Sequence, residues 1–179
     1  CPWCDTKESW NESAHPKESI QNIAKKAYMA QQKGAEFVVI TGGEPLHHNL
    51  DSLCHCIREA TKTNPLNTSS LPIHLETSGV DPISGNPDWI TLSPKRHAPP
   101  RQDVLSSCNE LKVVIHDPQD LEFAETMSQL ITHHEKKNTL LFLQSGWNSK
   151  QGEDLAFEHV KSNHKWRLSI QMHKWLGVL

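Results

Sequence analysis

Two cysteines open the sequence at a spacing that suits metal binding or redox chemistry. Cys1 and Cys4 form a C-x-x-C motif, and Asp5 and Thr6 follow it directly. The same spacing occurs in zinc sites, iron–sulfur proteins and dithiol oxidoreductases, because each of these needs two thiolates within reach of one centre. The motif therefore predicts a thiolate site and leaves its chemistry open among the three.

A second motif follows a short apolar segment. Residues 41–45 read Thr-Gly-Gly-Glu-Pro and come directly after Phe-Val-Val-Ile. Gly42 and Gly43 have no side chains to hold a ligand away from the backbone, and Glu44 adds a carboxylate. The motif favours a loop that meets an amino-acid-like ligand at backbone distance. The structural alternative is that Glu44 caps the helix that follows.

Polar clusters follow three further predicted strands, at residues 76–79, 93–95 and 144–146. The carboxyl ends of parallel strands share one edge of a sheet, and ligands bind at that edge. Any one cluster taken alone is more typical of a turn, since Ser, Thr, Gly and Pro are turn residues. The three clusters, the Gly-Gly motif and the C-x-x-C motif together favour a ligand site.

The composition narrows the class of protein. The chain has 179 residues, a net charge of -3 and 36% hydrophobic residues, which suits one domain with one core. Its Lys and Arg residues are dispersed, so no nucleic-acid surface is predicted. Its apolar runs are far shorter than the roughly 20 residues that a membrane helix needs. Five unevenly spaced cysteines suggest a reducing compartment, so we expect a cytoplasmic protein.

Short apolar runs alternate with helical periodicity, which is typical of parallel strands covered by helices. We predict an α/β fold. The predicted strands are residues 36–41, 73–76, 89–93, 110–115, 139–144 and 167–172. The predicted helices are residues 16–33, 49–62 and 153–161, together with one that begins at Asp117 as its N-cap. Segments 64–72, 81–88 and 95–104 are rich in Pro, Asn and Ser and are predicted loops.

Six segments resemble the 7-carboxy-7-deazaguanine synthase family of radical S-adenosylmethionine (SAM) enzymes. They are C-x-W-C-D-T at 1–6, T-G-G-E-P at 41–45, E-T-S-G at 76–79, S-P-K at 93–95, E-L-K at 110–112 and R-L-S-I-Q-M-H-K-W-L-G at 167–177. The S-P-K and C-terminal segments are the specific ones, because C-x-x-C and G-G-E-P indicate only the superfamily.

The resemblance implies a partial (β/α)6 radical SAM barrel, with parallel strands and a reduced set of covering helices, as a single domain over residues 1–179. It implies that Cys1 and Cys4 are the second and third ligands of a [4Fe–4S] cluster, and that the first ligand, the opening strand and an N-terminal segment lie upstream. Cys54 and Cys108 are expected to be structural. Thr6 is implied as a ligand of Mg²⁺.

The resemblance also assigns contacts to the cofactor and the substrate. The implied SAM contacts are Gly42, Gly43, Glu44, Ser78, Ser93, Pro94, Lys95, Gln144, Ser145, Gly146 and Trp147. The implied substrate contacts are Thr41, Glu76, His173 and Leu179, the last through a terminal carboxylate. No side chain is implied as a catalytic residue beyond the cofactor ligands.

The implied reaction converts 6-carboxy-5,6,7,8-tetrahydropterin to 7-carboxy-7-deazaguanine with loss of ammonia, in queuosine-type 7-deazapurine biosynthesis. The implied partners are this pterin, a flavodoxin-type or ferredoxin-type electron donor and, as a possibility, a second copy of the chain; neither nucleic acid nor membrane is expected. Two alternatives stay open on the residues alone. One is a dithiol oxidoreductase that uses Cys1 and Cys4; the other is a zinc-stabilised binding module, for which Cys54 and Cys56 are the nearest further pair.

Overall fold

A computed structural model describes residues 7, 11, 15–62, 70–131, 138–172 and 176–177. Helices and strands alternate along this part of the chain. The helices are α1 (Ile20–Gln31), α2 (Asp51–Thr61), α3 (Gln102–Ser107), α4 (Pro118–Leu130) and α5 (Lys150–Ser162), with a 3-10 helix at Pro45–His47. The strands are β1 (Val38–Ile40), β2 (Ile73–Thr77), β3 (Trp89–Leu92), β4 (Glu110–Ile115), β5 (Leu140–Ser145) and β6 (Trp166–Ser169).

The six strands form one sheet in chain order, and each pairs in parallel with the next. Within the described residues the sheet is open, with β1 and β6 at its edges. The α/β prediction with parallel strands is therefore confirmed, as a sheet that does not close on itself. Parallel order brings the carboxyl ends of all these strands to one edge.

Burial alternates along the central strands. In β4, Leu111, Val113 and Ile115 are fully buried, while Glu110 and Lys112 are half-buried. Successive side chains of a strand point to opposite faces, so the buried set lies on the face that the helices cover. We call the opposite face the open face; its residues include His74, Glu76, Thr91, Glu110, Lys112, Phe142, Gln144, Arg167 and Ser169.

Two apolar clusters hold the helices to the sheet. The first contains Ala24 and Ala27 of α1 and Cys54 and Ile57 of α2, packed with residues of β2. The second joins β3, β4, β5 and β6 to α3, α4 and α5, and Trp166 is its largest fully buried side chain. Cys54 and Cys108 are buried, as the sequence predicts for structural cysteines.

Local signals explain where the helices begin. The Ser19 hydroxyl accepts from the backbone N–H of Asn22 at the start of α1. Asp117 and Asp120 form a reciprocal capping box at the start of α4, as predicted from Asp117 and Pro118. Helix α5 begins three residues before its predicted start, because Ser149 caps it by accepting from Gly152.

One loop prediction is wrong. Residues 102–104, placed in a loop with 95–101, form the start of α3. This helix has six residues, too few for a helical period to appear in the sequence, and it is held by the burial of Val104 and Leu105. In the part of the chain that the structure describes, no helix is long and apolar enough to cross a membrane.

Candidate functional site

The predicted polar clusters meet at the carboxyl edge of the sheet, and hydrogen bonds join two pairs of them. Glu44, which follows β1, contacts Thr77 and Ser78 at the end of β2. The backbone N–H of Ser93, which follows β3, donates to the carbonyl of Thr77 at 2.7 Å. The first three strand ends are therefore fixed to one another, as the sequence predicts for a shared edge.

The Glu44 carboxylate accepts from four protein donors. Oε1 accepts from the Leu46 backbone N–H at 3.2 Å and from the Thr77 hydroxyl at 2.5 Å. Oε2 accepts from the Ser78 backbone N–H at 2.7 Å and from the Ser78 hydroxyl. A carboxylate offers about four acceptor positions, so an ammonium group would have to share one of them. Glu44 thus has the structural role that the sequence offers as its alternative, since it caps the 3-10 helix at Pro45–His47.

The Gly42–Gly43 turn leaves its backbone accessible. Gly42 has a φ of +131°, which favours glycine, and a Cβ at either position would meet nothing within 4 Å. Thr41, Gly42 and Gly43 are all exposed. The turn therefore offers an open backbone beside the Glu44 carboxylate, as a ligand at backbone distance would require.

The segment after β3 presents a cation and a hydroxyl together. The Lys95 ammonium donates to the Ser93 hydroxyl at 2.8 Å, and Pro94 between them is buried. Arg96 then anchors the segment to the start of α4, with bonds of 3.2 and 3.1 Å to the two oxygens of Asp117 and a 3.2 Å ion pair to Asp120. This arrangement suits the carboxylate of an amino-acid-like ligand.

Residues 144–147 lie further along the same edge. The Ser169 hydroxyl donates to Gln144 at 3.3 Å, and the Gly146 N–H donates to the Ile115 carbonyl at 2.9 Å. Gly146 packs directly on the His116 ring, since a Cβ there would lie 1.9 Å from Cε1. The sequence predicts a role for Gly146 but gives no sign of its contact with the His116 ring.

An open cleft of about 1250 Å³ lies beside residues 144–147, between the ends of β5 and β6 and helix α5. Gln144, Ser145, Gly146 and Trp147 line it, whereas Gly42 to Glu44 and Ser93 to Lys95 do not. Trp147 is half exposed there, at 49%. The structure therefore divides the predicted cofactor contacts into one group at the ends of β1 to β3 and a second group beside α5.

On the open face below this edge, charged residues meet across three strands. The Lys112 ammonium of β4 donates to Glu76 Oε2 of β2 at 3.3 Å. Burial raises the pKa of nearby Glu110, Lys112 lowers it and Glu76 raises it, with a net increase. The family resemblance implies a site role for Glu76 and none for Glu110 and Lys112, although both belong to its E-L-K segment. The signal in the sequence for their place on the open face is that they are polar residues at period two in an otherwise apolar strand.

No model of a protein family matches the sequence. Individual proteins do match it over its full length. The chain is 53% identical to a 7-carboxy-7-deazaguanine synthase of Prochlorococcus marinus, over 100% of this chain and 84% of that protein. The chain belongs to the 7-carboxy-7-deazaguanine synthase family.

Other members of the family match the chain over a similar share of its length. The chain is 41% identical to the 7-carboxy-7-deazaguanine synthase of a Synechocystis species, over 99% of this chain and 78% of that protein. The crystal structure of QueE from Escherichia coli matches the fold with a TM-score of 0.71 and 27% identity, over 96% of this chain and 79% of that one. The resemblance drawn from the six motifs is therefore confirmed.

Several predicted site residues lie outside the described residues. These are Cys1, Cys4, Thr6, His173 and Leu179. Among the residues that are described, no group of three or more His, Cys, Asp or Glu side chains could hold a metal ion. The cluster ligands and the Mg²⁺ ligand of the family resemblance thus stay predictions. The predicted SAM contacts at Gly42, Gly43, Ser93 and Lys95 lie in the described residues. The open backbone of the two glycines and the Lys95 ammonium, which donates to the Ser93 hydroxyl, fit an amino-acid group.

Proposed function

We propose that this chain converts 6-carboxy-5,6,7,8-tetrahydropterin to 7-carboxy-7-deazaguanine with loss of ammonia, as a carbon–nitrogen lyase of 7-deazapurine and queuosine biosynthesis. The observation that carries the proposal is the 53% identity to a protein of that name over the whole chain. Three of the family's motifs, at 41–45, 76–79 and 93–95, meet at the carboxyl edge of the parallel sheet, which supports the proposal because ligands of such sheets bind there.

The proposed cofactors are a [4Fe–4S] cluster, SAM and Mg²⁺. Cys1 and Cys4 would provide two of the cluster's thiolates. Thr6 would provide a hydroxyl ligand to Mg²⁺, a hard cation that prefers oxygen. When bound, the cluster and SAM supply the radical that removes a hydrogen atom from C6 of the pterin.

The chain's own residues would bind and orient SAM. Lys95, held by Ser93 at 2.8 Å, would pair with the carboxylate of SAM. The open backbone at Gly42 and Gly43 would let the rest of its amino-acid group approach. Glu44 fixes the ends of β1 and β2 and would share one acceptor position with the ammonium.

Residues 144–147 would bind the nucleoside end of SAM. Trp147 presents a half-exposed indole at the cleft beside α5, and such a ring can cover a nucleoside face. On the open face, Glu76 would accept from N–H donors of the pterin, with Thr41 at the rim and His173 and Leu179 as further contacts. The proposed partners are a flavodoxin-type or ferredoxin-type electron donor in the cytoplasm and a second copy of the chain.

The test is anaerobic reconstitution of the full-length protein with iron and sulfide. Reconstituted protein, SAM, Mg²⁺, reductant and 6-carboxytetrahydropterin should yield 7-carboxy-7-deazaguanine and ammonia, identified by mass. Lys95→Ala should raise the KM for SAM, whereas Lys26→Ala, at an exposed lysine of α1, should not. Zinc in place of iron and sulfide, or disulfide exchange without pterin turnover, would overturn the proposal in favour of one of the two alternatives.

A further inference from the structure

Lys112 reaches across a whole strand to contact Glu76. Lys112 lies on β4 and Glu76 on β2, yet the ammonium nitrogen and Oε2 are 3.3 Å apart. The residue between them on β3 is Thr91, which is in register with both Glu76 and Glu110. Because the Thr91 side chain is short, the lysine can pass over it. The contact is therefore built into the strand order and register.

The two partners differ in exposure. The Lys112 side chain is 17% exposed and that of Glu76 is 41% exposed. The lysine is thus mostly withdrawn from water, while the carboxylate remains open on the same face. In the described part of the chain, Lys112 is the donor that contacts Glu76, through Oε2. The second carboxylate oxygen is left for a ligand on the open face.

Other charged groups surround the pair. Glu110 shares β4 with Lys112, and His74 lies two residues before Glu76 on β2. From β6, Arg167 lies 5.9 Å from the ring of Phe142, the residue in register with Lys112. Lys112 is thus the cation between two carboxylates; burial raises the pKa of Glu110, and Glu76 adds to that increase.

We propose that Lys112 is a positioning residue for the substrate: it binds Oε2 of Glu76 and so directs the second oxygen of that carboxylate at N–H donors of the pterin ring. This inference rests on the proposed function and adds a residue to its substrate site. Lys112 itself does not need to touch the substrate. Its effect should therefore appear in pterin binding and not in SAM binding.

Lys112→Met removes the charge and keeps most of the side-chain length. We expect the KM for the pterin to rise roughly tenfold or more, since the hydrogen bond from the substrate to Glu76 loses its alignment. The kcat and the Kd for SAM should stay unchanged. Lys112→Arg should restore the wild-type KM, and Lys26→Met on α1 should have no effect.

Glu110→Gln provides the matched control. It removes the neighbouring carboxylate of β4 and leaves the contact between Lys112 and Glu76 in place, so the KM for the pterin should stay near the wild-type value. A purely structural role for the cluster would raise this KM in both variants through lost folding, and thermal unfolding would detect it. An unchanged KM for the pterin in Lys112→Met, or an equal loss of SAM affinity, would overturn the proposal.

A readout without turnover separates this inference from the proposed function. Binding of 6-carboxytetrahydropterin to the full-length protein can be measured by calorimetry without reductant, so that no turnover occurs. If the wild type binds the pterin but makes no 7-carboxy-7-deazaguanine, the proposed function fails. The role of Lys112 still holds if Lys112→Met weakens pterin binding as Glu76→Gln does, and it fails if Lys112→Met binds the pterin as the wild type does.

Discussion

Glu44 and Ser78 join the ends of two neighbouring strands, because Oε2 of the glutamate accepts both the backbone N–H of Ser78, at 2.7 Å, and its hydroxyl. Glu44 follows β1 and Ser78 follows β2, so the loop after β1 is tied to the loop after β2. A residue expected to contact the cofactor thereby also maintains the geometry of the edge on which the cofactor would lie.

Glu44→Gln should therefore lower stability as well as SAM affinity. The amide would place an N–H₂ group against at least one of the protein donors, so the free energy of unfolding should fall by about 1–3 kcal/mol. SAM affinity should fall by about 1.5–3 kcal/mol if the ammonium shares the carboxylate. Urea unfolding and calorimetry measure the two separately. A loss of stability with unchanged SAM affinity would leave Glu44 a structural role only.

The sequence predicts the strands and loops that form this site, and not the hydrogen bonds between their side chains. All six strands could be predicted, because each is a short segment of apolar residues, or of apolar residues that alternate with polar ones, bounded by turn residues. That the ends of β1, β2 and β3 meet follows from parallel strand order. That Thr77 and Ser78 fill the acceptor positions of Glu44 does not, because it depends on side-chain directions across two loops.

The pairing of Lys112 with Glu76 was beyond prediction for a different reason. The two residues are 36 positions apart, and their contact requires β3 to lie between β2 and β4 with the short side chain of Thr91 in register. Because side chains alternate between the two faces of a strand, the sequence shows which residues share a face. It does not show which residues of neighbouring strands lie side by side, because that register is set by packing. The short helix α3 was missed because its packing outweighs its weak local signal.

Gly146→Ala should disturb the segment that lines the cleft beside α5. The added Cβ would lie 1.9 Å from Cε1 of His116, so either the ring or residues 144–147 must move. Overpacking of this kind costs about 1–3 kcal/mol of stability, and SAM affinity should fall with it. The double variant with His116→Ala should recover part of both losses. Additive losses in urea unfolding would show that the ring is not the obstacle.

Glu125 should be a main determinant of acid stability. It accepts from His159 at 2.9 Å, Asn163 at 3.2 Å, Lys165 at 2.5 Å and the Trp166 indole at 2.8 Å, and so joins α4 to α5 and β6. Burial raises the pKa of this carboxyl, but the hydrogen bonds from Lys165, Trp166 and His159 outweigh it, and the net pKa is lowered.

A lowered folded-state pKa stabilises the protein above the unfolded-state pKa of about 4.3, and that stability is lost as the pH falls through the folded value. Glu125→Gln should therefore cost roughly 1–3 kcal/mol at pH 7, and the difference from wild type should shrink as the pH falls below about 4. Glu158→Gln removes a carboxylate from the exposed pair with Lys161 and should change little. Urea unfolding at several pH values measures both; a pH-independent effect of Glu125→Gln would contradict the linkage.

Arg96 should affect SAM binding although it is not a predicted SAM contact, because it holds the segment that carries Ser93 and Lys95. Its guanidinium pairs with both oxygens of Asp117 and with Asp120, at the start of α4. Arg96→Ala would free this segment, and the Kd for SAM should rise several-fold, since Lys95 would have to be ordered on binding.

The matched control is Arg101→Ala, because Arg101 pairs with Asp103, two residues along the chain. That variant should keep wild-type SAM affinity. Arg96→Lys should recover only part of the loss, since a lysine cannot reproduce two parallel hydrogen bonds to one carboxylate. Calorimetric titration of the reconstituted full-length protein with SAM compares the three variants. If Arg96→Ala and Arg101→Ala bind SAM equally well, the S-P-K segment is held by its own buried Pro94 and not by its attachment to α4.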